Sequence, residues 1–106
     1  MDNQPDVYSI EVFANATQML VSHAAFLAKV SPNAANRLIE AFEEAANSLE
    51  IMPNRCPWLV DENIPRYTYR YLTFEKRYML VYQVIDSTVY IDYVLDSRQD
   101  NSYFVN

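Results

Sequence analysis

Residues 7–12 alternate, with Tyr8, Ile10 and Val12 on one side and Val7, Ser9 and Glu11 on the other, the period-two pattern of a half-buried strand. Over residues 15–30 the period changes. Leu20, Ala24 and Leu27 recur with Met19, His23, Phe26 and Val30 at spacings of three and four, which predicts an amphipathic helix with a thin polar face. Ser31-Pro32 then pairs a capping hydroxyl with a ring suited to a first helical position, so a second helix starts there. Its stripe is Ala35, Leu38, Ile39, Phe42, Ala46 and Leu49, with Arg37, Glu40, Glu43, Glu44 and Asn47 largely elsewhere around the axis, and Pro53 follows its end. Residues 54–65 carry Pro57, Pro65, Asp61 and Asn63 and read as a loop pinned by Trp58 and Leu59. Three runs rich in β-branched and aromatic residues, 66–74, 78–85 and 88–95, are separated by Glu75-Lys76-Arg77 and Asp86-Ser87, which predicts two successive hairpins. The order is β-α-α-β-β-β: an α+β fold, an antiparallel sheet with two helices packed on one face. Its other face and an edge are left for a partner.

At 106 residues the chain suits a single domain spanning 1–106, too short for two independent cores. Half of it is hydrophobic (51%) against 21% charged, enough apolar surface to support a folded core. There is no glycine, which excludes Gly-rich phosphate loops and dinucleotide fingerprints and places positive-φ turns on Asn, Asp or Ser. With one cysteine, Cys56, and one histidine, His23, neither an intrachain disulfide nor a multi-ligand Cys/His metal centre can form, and no cofactor is implied. The apolar runs are too short for a membrane span, the start lacks a signal-like segment, and the expected location is cytoplasmic.

The net charge of −6 is opposite to the footprint of a typical nucleic-acid binder, but the charge is segregated. Residues 1–53 hold seven acids against Lys29 and Arg37. Residues 55–77 hold Arg55, Arg66, Arg70, Lys76 and Arg77 against Asp61, Glu62 and Glu75. A phosphate-contacting surface would therefore lie on the sheet and its loops, joined by Arg98 just after the last strand. Plainer readings stand beside this one. Glu75-Lys76-Arg77 makes a solvated hairpin tip, and the strand arginines pair with Asp92 or Asp96. Seven tyrosines between Tyr67 and Tyr93 could stack bases, although strand tyrosines more often pack with the hydroxyl at the rim. His23 reads as a structural helix-face residue and Cys56 as a buried thiol.

The run Tyr69-Arg70-Tyr71-Leu72-Thr73-Phe74-Glu75-Lys76-Arg77-Tyr78, continued through Thr88-Val89-Tyr90-Ile91-Asp92-Tyr93-Val94-Leu95-Asp96-Ser97-Arg98, resembles the carboxyl-terminal half of RelE/ParE-superfamily toxins of type II toxin–antitoxin modules. Ser31-Pro32 and Met52-Pro53-Asn54-Arg55-Cys56-Pro57-Trp58 extend the likeness over nearly the whole chain. It implies a small toxin neutralised by a cognate antitoxin encoded beside it. In ribosome-dependent members, basic strand residues with a terminal arginine and tyrosine cleave mRNA in the ribosomal A site without a metal. That chemistry needs a base for the 2′-hydroxyl, cations for the phosphorane and an acid for the leaving oxygen.

Carried onto this chain, the resemblance makes Arg70, Arg98 and Tyr103 the catalytic candidates, with Arg66, Lys76 and Arg77 binding nucleic acid or another target. Met79 and Leu72 stand where the mRNA-cleaving members carry basic residues. A one-residue shift of register decides whether Arg70 faces the concave surface or the helices. The expected activity is ribosome-dependent mRNA cleavage, an endoribonuclease partnered by ribosome and mRNA. The alternatives are a non-enzymatic inhibitor of DNA gyrase, like the ParE branch, and a degenerate toxin that retains only antitoxin binding.

Overall fold

The computed structural model describes residues 6–98; Tyr103 lies outside the described residues. The chain runs β1 (Ser9–Val12), α1 (Ala14–Ala28), α2 (Pro32–Ser48), a 3-10 turn (Pro53–Arg55), β2 (Arg70–Phe74), β3 (Tyr78–Ile85) and β4 (Thr88–Asp96). The four strands form one sheet in the order β1-β4-β3-β2. Both hairpins are antiparallel as expected, but β1 enters beside β4 in parallel, Ser9 opposite Thr88 and Val12 opposite Ile91. The sheet is therefore mixed rather than antiparallel throughout. The reason is topological: the α1–α2 hairpin returns the chain to the end of the sheet at which β1 begins, where the Tyr8 N–H donates to Glu50 O at 2.8 Å, so β2 and, two reversals later, β4 run in the direction of β1.

Local chemistry explains the helix boundaries. Ser31 Oγ accepts from the Ala34 N–H at 3.2 Å and Pro32 occupies the first turn, so two needs of a helix start are met by adjacent residues. Ala35, Leu38, Phe42, Ala46 and Leu49 are buried against the sheet and α1, as their spacing predicts, while Ile39 of the same stripe is exposed. On α1 only Leu20 and Ala24 of the expected stripe are buried, joined by Ala16 from the first turn. Phe26 and Val30 stand 65% and 87% exposed: Leu27 is the residue of the last turn that packs against the core, and Val30 lies beyond the end of α1 at Ala28.

The second face of the sheet is less open than expected. Leu59 and Ile64 from the long loop, with Tyr69, close over Val81 and Leu95, so a second, smaller core lies opposite the helices. β2 is also shorter than the apolar run 66–74. Tyr67 adopts φ 62, and the chain turns off the sheet before Arg70. Without glycine, left-handed conformations fall on Met52, Tyr67, Glu75, Lys76 and Asp86. Only Asp86 belongs to the residue types expected there. Each of the others carries a steric cost of roughly 1–2 kcal/mol; at Glu75 and Lys76 it is accepted because the pairing of β2 with β3 decides where the chain must reverse.

Candidate functional site

The register settles which way each strand arginine points. Arg70 lies opposite Tyr82, Leu72 opposite Leu80 and Phe74 opposite Tyr78, and Tyr82, Leu80 and Tyr78 all belong to the core beneath the helices. Arg70 therefore sits on the helix side of the edge strand, not on the opposite face. Its Nη1 donates to Cys56 O at 2.5 Å, and the guanidinium carbon lies 3.8 Å from the Trp58 ring centroid. Beside it, the buried Tyr82 hydroxyl donates to Pro53 O at 2.5 Å. Burial pushes the Tyr82 phenol well up, and contact with Cys56 adds to the shift. These bonds hold the loop 53–58 against the start of β2.

Arg98 marks the opposite end of the sheet. Its Nη2 and Nε donate to the two carboxylate oxygens of Asp96 at 3.1 and 3.2 Å, and its backbone N–H donates to Oδ1 at 3.0 Å. The Asp96 side chain is 7% exposed and that of Arg98 57%. Burial alone would raise the Asp96 carboxyl; the bonds and charge of Arg98, with a smaller contribution from His23, outweigh it and hold the carboxyl below its ordinary value.

The β3–β4 pairing brings further groups to this end. Asp96 lies opposite Tyr78, and Ser97 donates from both its backbone N–H and its hydroxyl to Arg77 O, at 2.7 and 2.8 Å. His23 Nε2 donates to Val94 O at 2.9 Å, and its ring rests against that of Tyr78, centroids 5.3 Å apart. The Tyr78 phenol is raised, first by burial and then by the Asp96 charge, so it is a neutral hydroxyl at physiological pH. Arg77, Arg98 and Tyr78 are thus gathered within one hairpin end, with exposed Lys76 in the turn. Arg70 is separated from them by the length of β2 and remains with Trp58. Arg66 is exposed on the loop before β2.

A third cluster lies midway along β4, where a bulge makes Asp92 the extra residue between Ile91 and Tyr93. Burial raises the Asp92 carboxyl, opposed by a hydrogen bond from Tyr69. Tyr69 is itself pushed up to about 12, first by burial and then by Asp92 and Tyr93. Among the described residues no cluster of His, Cys, Asp and Glu could hold a metal ion, and no helix is long and apolar enough to cross a membrane.

The sequence profile described as the ParE toxin of type II toxin-antitoxin system, parDE, matches residues 10–101. The chain belongs to the ParE toxin family. Among solved structures, the toxin is similar to a chain of the chromosomal ParDE system from P. aeruginosa at 17% identity and TM-score 0.69, covering 87% of this chain and 98% of that one. It is also similar to a chain of the RelBE2 toxin–antitoxin complex from Mycobacterium tuberculosis, at 20% identity and TM-score 0.57, covering 90% and 97%. A search of curated proteins finds no significant sequence match. At these identities the structural likeness speaks to the fold, whose β-α-α-β-β-β order the toxin shares.

The strand arginine Arg70 pairs with neither Asp92 nor Asp96 but with Cys56 O and Trp58; Asp96 pairs instead with Arg98, just after the last strand. Sequence reasoning did not find the Trp58–Arg70 stack. The Asp-x-Arg spacing hinted at the Asp96–Arg98 pair; nothing local signals a stack between residues 12 positions apart on a loop and an edge strand.

Proposed function

We propose that this toxin arrests growth by binding a protein target rather than by cutting RNA, with DNA gyrase, the target associated with the ParE branch, as that protein and a cognate antitoxin as its neutralising partner. The observation that carries this reading is the state of the two candidate arginines. Arg98 meets a buried carboxylate with both arms of its fork, and Arg70 is bound to Cys56 and Trp58 on the helix side. A phosphorane needs unspent positive charge converging on one point, whereas these two cations stand at opposite ends of the sheet. The structural neighbours, both from toxin–antitoxin systems, support the antitoxin. The exposed acids Glu40, Glu43 and Glu44 on α2 favour a basic contacting segment in it.

A second reading keeps ribosome-dependent mRNA cleavage, and the gathering of Arg77, Arg98 and Tyr78 at one hairpin end favours it. There Arg98 would stabilise the phosphorane, Tyr103 would serve as acid or base, and Arg66, Lys76 and Arg77 would hold the strand. Controlled expression with and without the antitoxin separates the two. Gyrase-dependent DNA breaks with intact mRNA are expected; mRNA fragments that require translating ribosomes would overturn the binding reading. Arg98→Ala should leave growth arrest in place, and its loss together with the fragments would establish the nuclease.

A further inference from the structure

Among the described residues the one ion pair is Arg98–Asp96, and the guanidinium of neither Arg37 nor Arg77 donates to any side chain or carbonyl there. The two come from distant parts of the chain, Arg37 from the second turn of α2 and Arg77 from the end of the β2–β3 turn. The fold nevertheless brings them to one surface cavity of about 120 Å³, lined by Leu27, Ala34, Arg37, Glu75, Arg77 and Tyr78. It lies on the helix side of the sheet, since Leu27 and Tyr78 both pack into the core beneath α1 and α2.

The walls of this cavity are fixed on both sides. Arg77 is half-buried, its N–H donates to Glu75 O at 2.8 Å, and its carbonyl accepts from the Ser97 N–H and hydroxyl at 2.7 and 2.8 Å. On the other side Ala34 sits in the first turn of α2, whose start is set by the Ser31 cap and Pro32 and whose dipole presents its positive end. Two guanidiniums beside one small volume repel each other unless an anion lies between them, and each offers a planar fork of N–H donors. Glu75 lines the same cavity without pairing with either arginine. A carboxylate in that place opposes a bare anion but accepts a hydrogen bond from an anion that carries its own O–H.

We propose that this cavity binds inorganic hydrogen phosphate, with Arg37 and Arg77 donating to its bare oxygens and Glu75 accepting from its P–OH. The volume is roughly that of four waters, which suits one tetrahedral oxyanion and leaves a sugar and base outside. Proton content makes the same choice. Inorganic phosphate keeps a proton at neutral pH and sulfate keeps none, while a phosphate ester, with a second pKa of about 6, has largely lost its own. Charge-assisted bonds from two elements tie the α1–α2 elbow to the β2–β3 turn, so occupancy stabilises the folded chain by mass action. Arg77 is shared with the nucleic-acid reading but Arg37 is not, and the site stands whichever target the toxin engages.

The probe is sodium phosphate, titrated at neutral pH into the ¹⁵N-labelled full chain beside sodium sulfate and uridine monophosphate at matched ionic strength. Phosphate should move the Ala34, Arg37, Glu75 and Arg77 amides saturably and bind about tenfold more tightly than either control. It should also raise the thermal midpoint beyond the general effect that sulfate and phosphate share as excluded salts. Those comparisons change only the ligand and so do not depend on a variant folding. Arg37→Gln, an exchange at an exposed position, should weaken phosphate about tenfold with the midpoint in chloride unchanged, and Glu75→Gln should bring sulfate level with phosphate. Equal shifts by sulfate and phosphate in the parent would mark an adventitious ion only and overturn the proposal. Unmoved amides at these positions, uridine monophosphate binding as tightly as phosphate, or phosphate binding that survives Arg37→Gln would overturn it as well.

Discussion

The two ends of the sheet each hold an arginine suggested by the sequence, and they use it in opposite ways. At the start of β2, Arg70 spends its charge inward on a carbonyl and an aromatic ring, and so ties a glycine-free loop to the edge strand. At the end of β4, Arg98 lies largely in solvent, and the burial falls on its partner Asp96. One guanidinium belongs to the architecture while the other is a surface group held at a fixed angle. Residue type and strand-end position do not distinguish them; what each group is packed against does.

The largest effect that would sharpen this contrast is on stability at the Arg70 end. Arg70→Ala removes the bond to Cys56 O and the Trp58 stack, and should lower the unfolding free energy by about 2 kcal/mol, read by urea denaturation. A neutral result would break the comparison. Tyr82→Phe, which strands the buried Pro53 carbonyl, should cost about 1 kcal/mol by the same measurement. Both variants should redden and broaden Trp58 emission as the loop 53–58 loosens.

Smaller effects belong to the aspartates of β4, and their signs differ. Asp96 is held below its ordinary value of 3.8, so its contribution is present above that pH and is lost as the pH falls through the lower folded value. Asp96→Asn should be less stable than the parent near neutrality by under about 1 kcal/mol, given the exposure of Arg98, and the gap should close below pH 3.8. Asp92 is raised above 3.8: its protonated form is favoured on folding, so the parent loses stability relative to Asp92→Asn as the pH rises from 3.8 through the higher folded value. Denaturation midpoints followed from pH 3 to pH 7 check both directions. Arg98→Ala leaves the buried Asp96 carboxylate without its cation, so its thermal transition at pH 7 should lie slightly below that of Asp96→Asn, in which the buried charge is gone.

Several of these positions were visible in the chain itself. Ser31-Pro32 announces α2 because capping and proline chemistry act within one helical turn. The hairpin 78–95 is equally legible, since alternation and a two-residue gap are local signals. His23 and Cys56 are structural, as their surroundings in sequence suggested: one bonded to Val94 O, the other a buried thiol. By contrast, the truncation of β2, the loop over the second face and the burial of Leu59 against Val81 and Leu95 depend on where residues 59–69 come to rest, which no local period records.

The amino-acid pattern by itself determined the succession of strand, two helices and meander, the helix stripes that close the main core, and the family to which the toxin belongs. Tertiary structure alone decided that β1 runs parallel to β4, that Arg70 turns to the helix side, and that β3 outruns its neighbour to leave an open edge. The physical reason is range. Propensity, capping and periodicity act between residues a few positions apart, whereas facing and register are set by apolar surfaces from distant segments competing for the same buried volume. A single step of register exchanges the two sides of a strand.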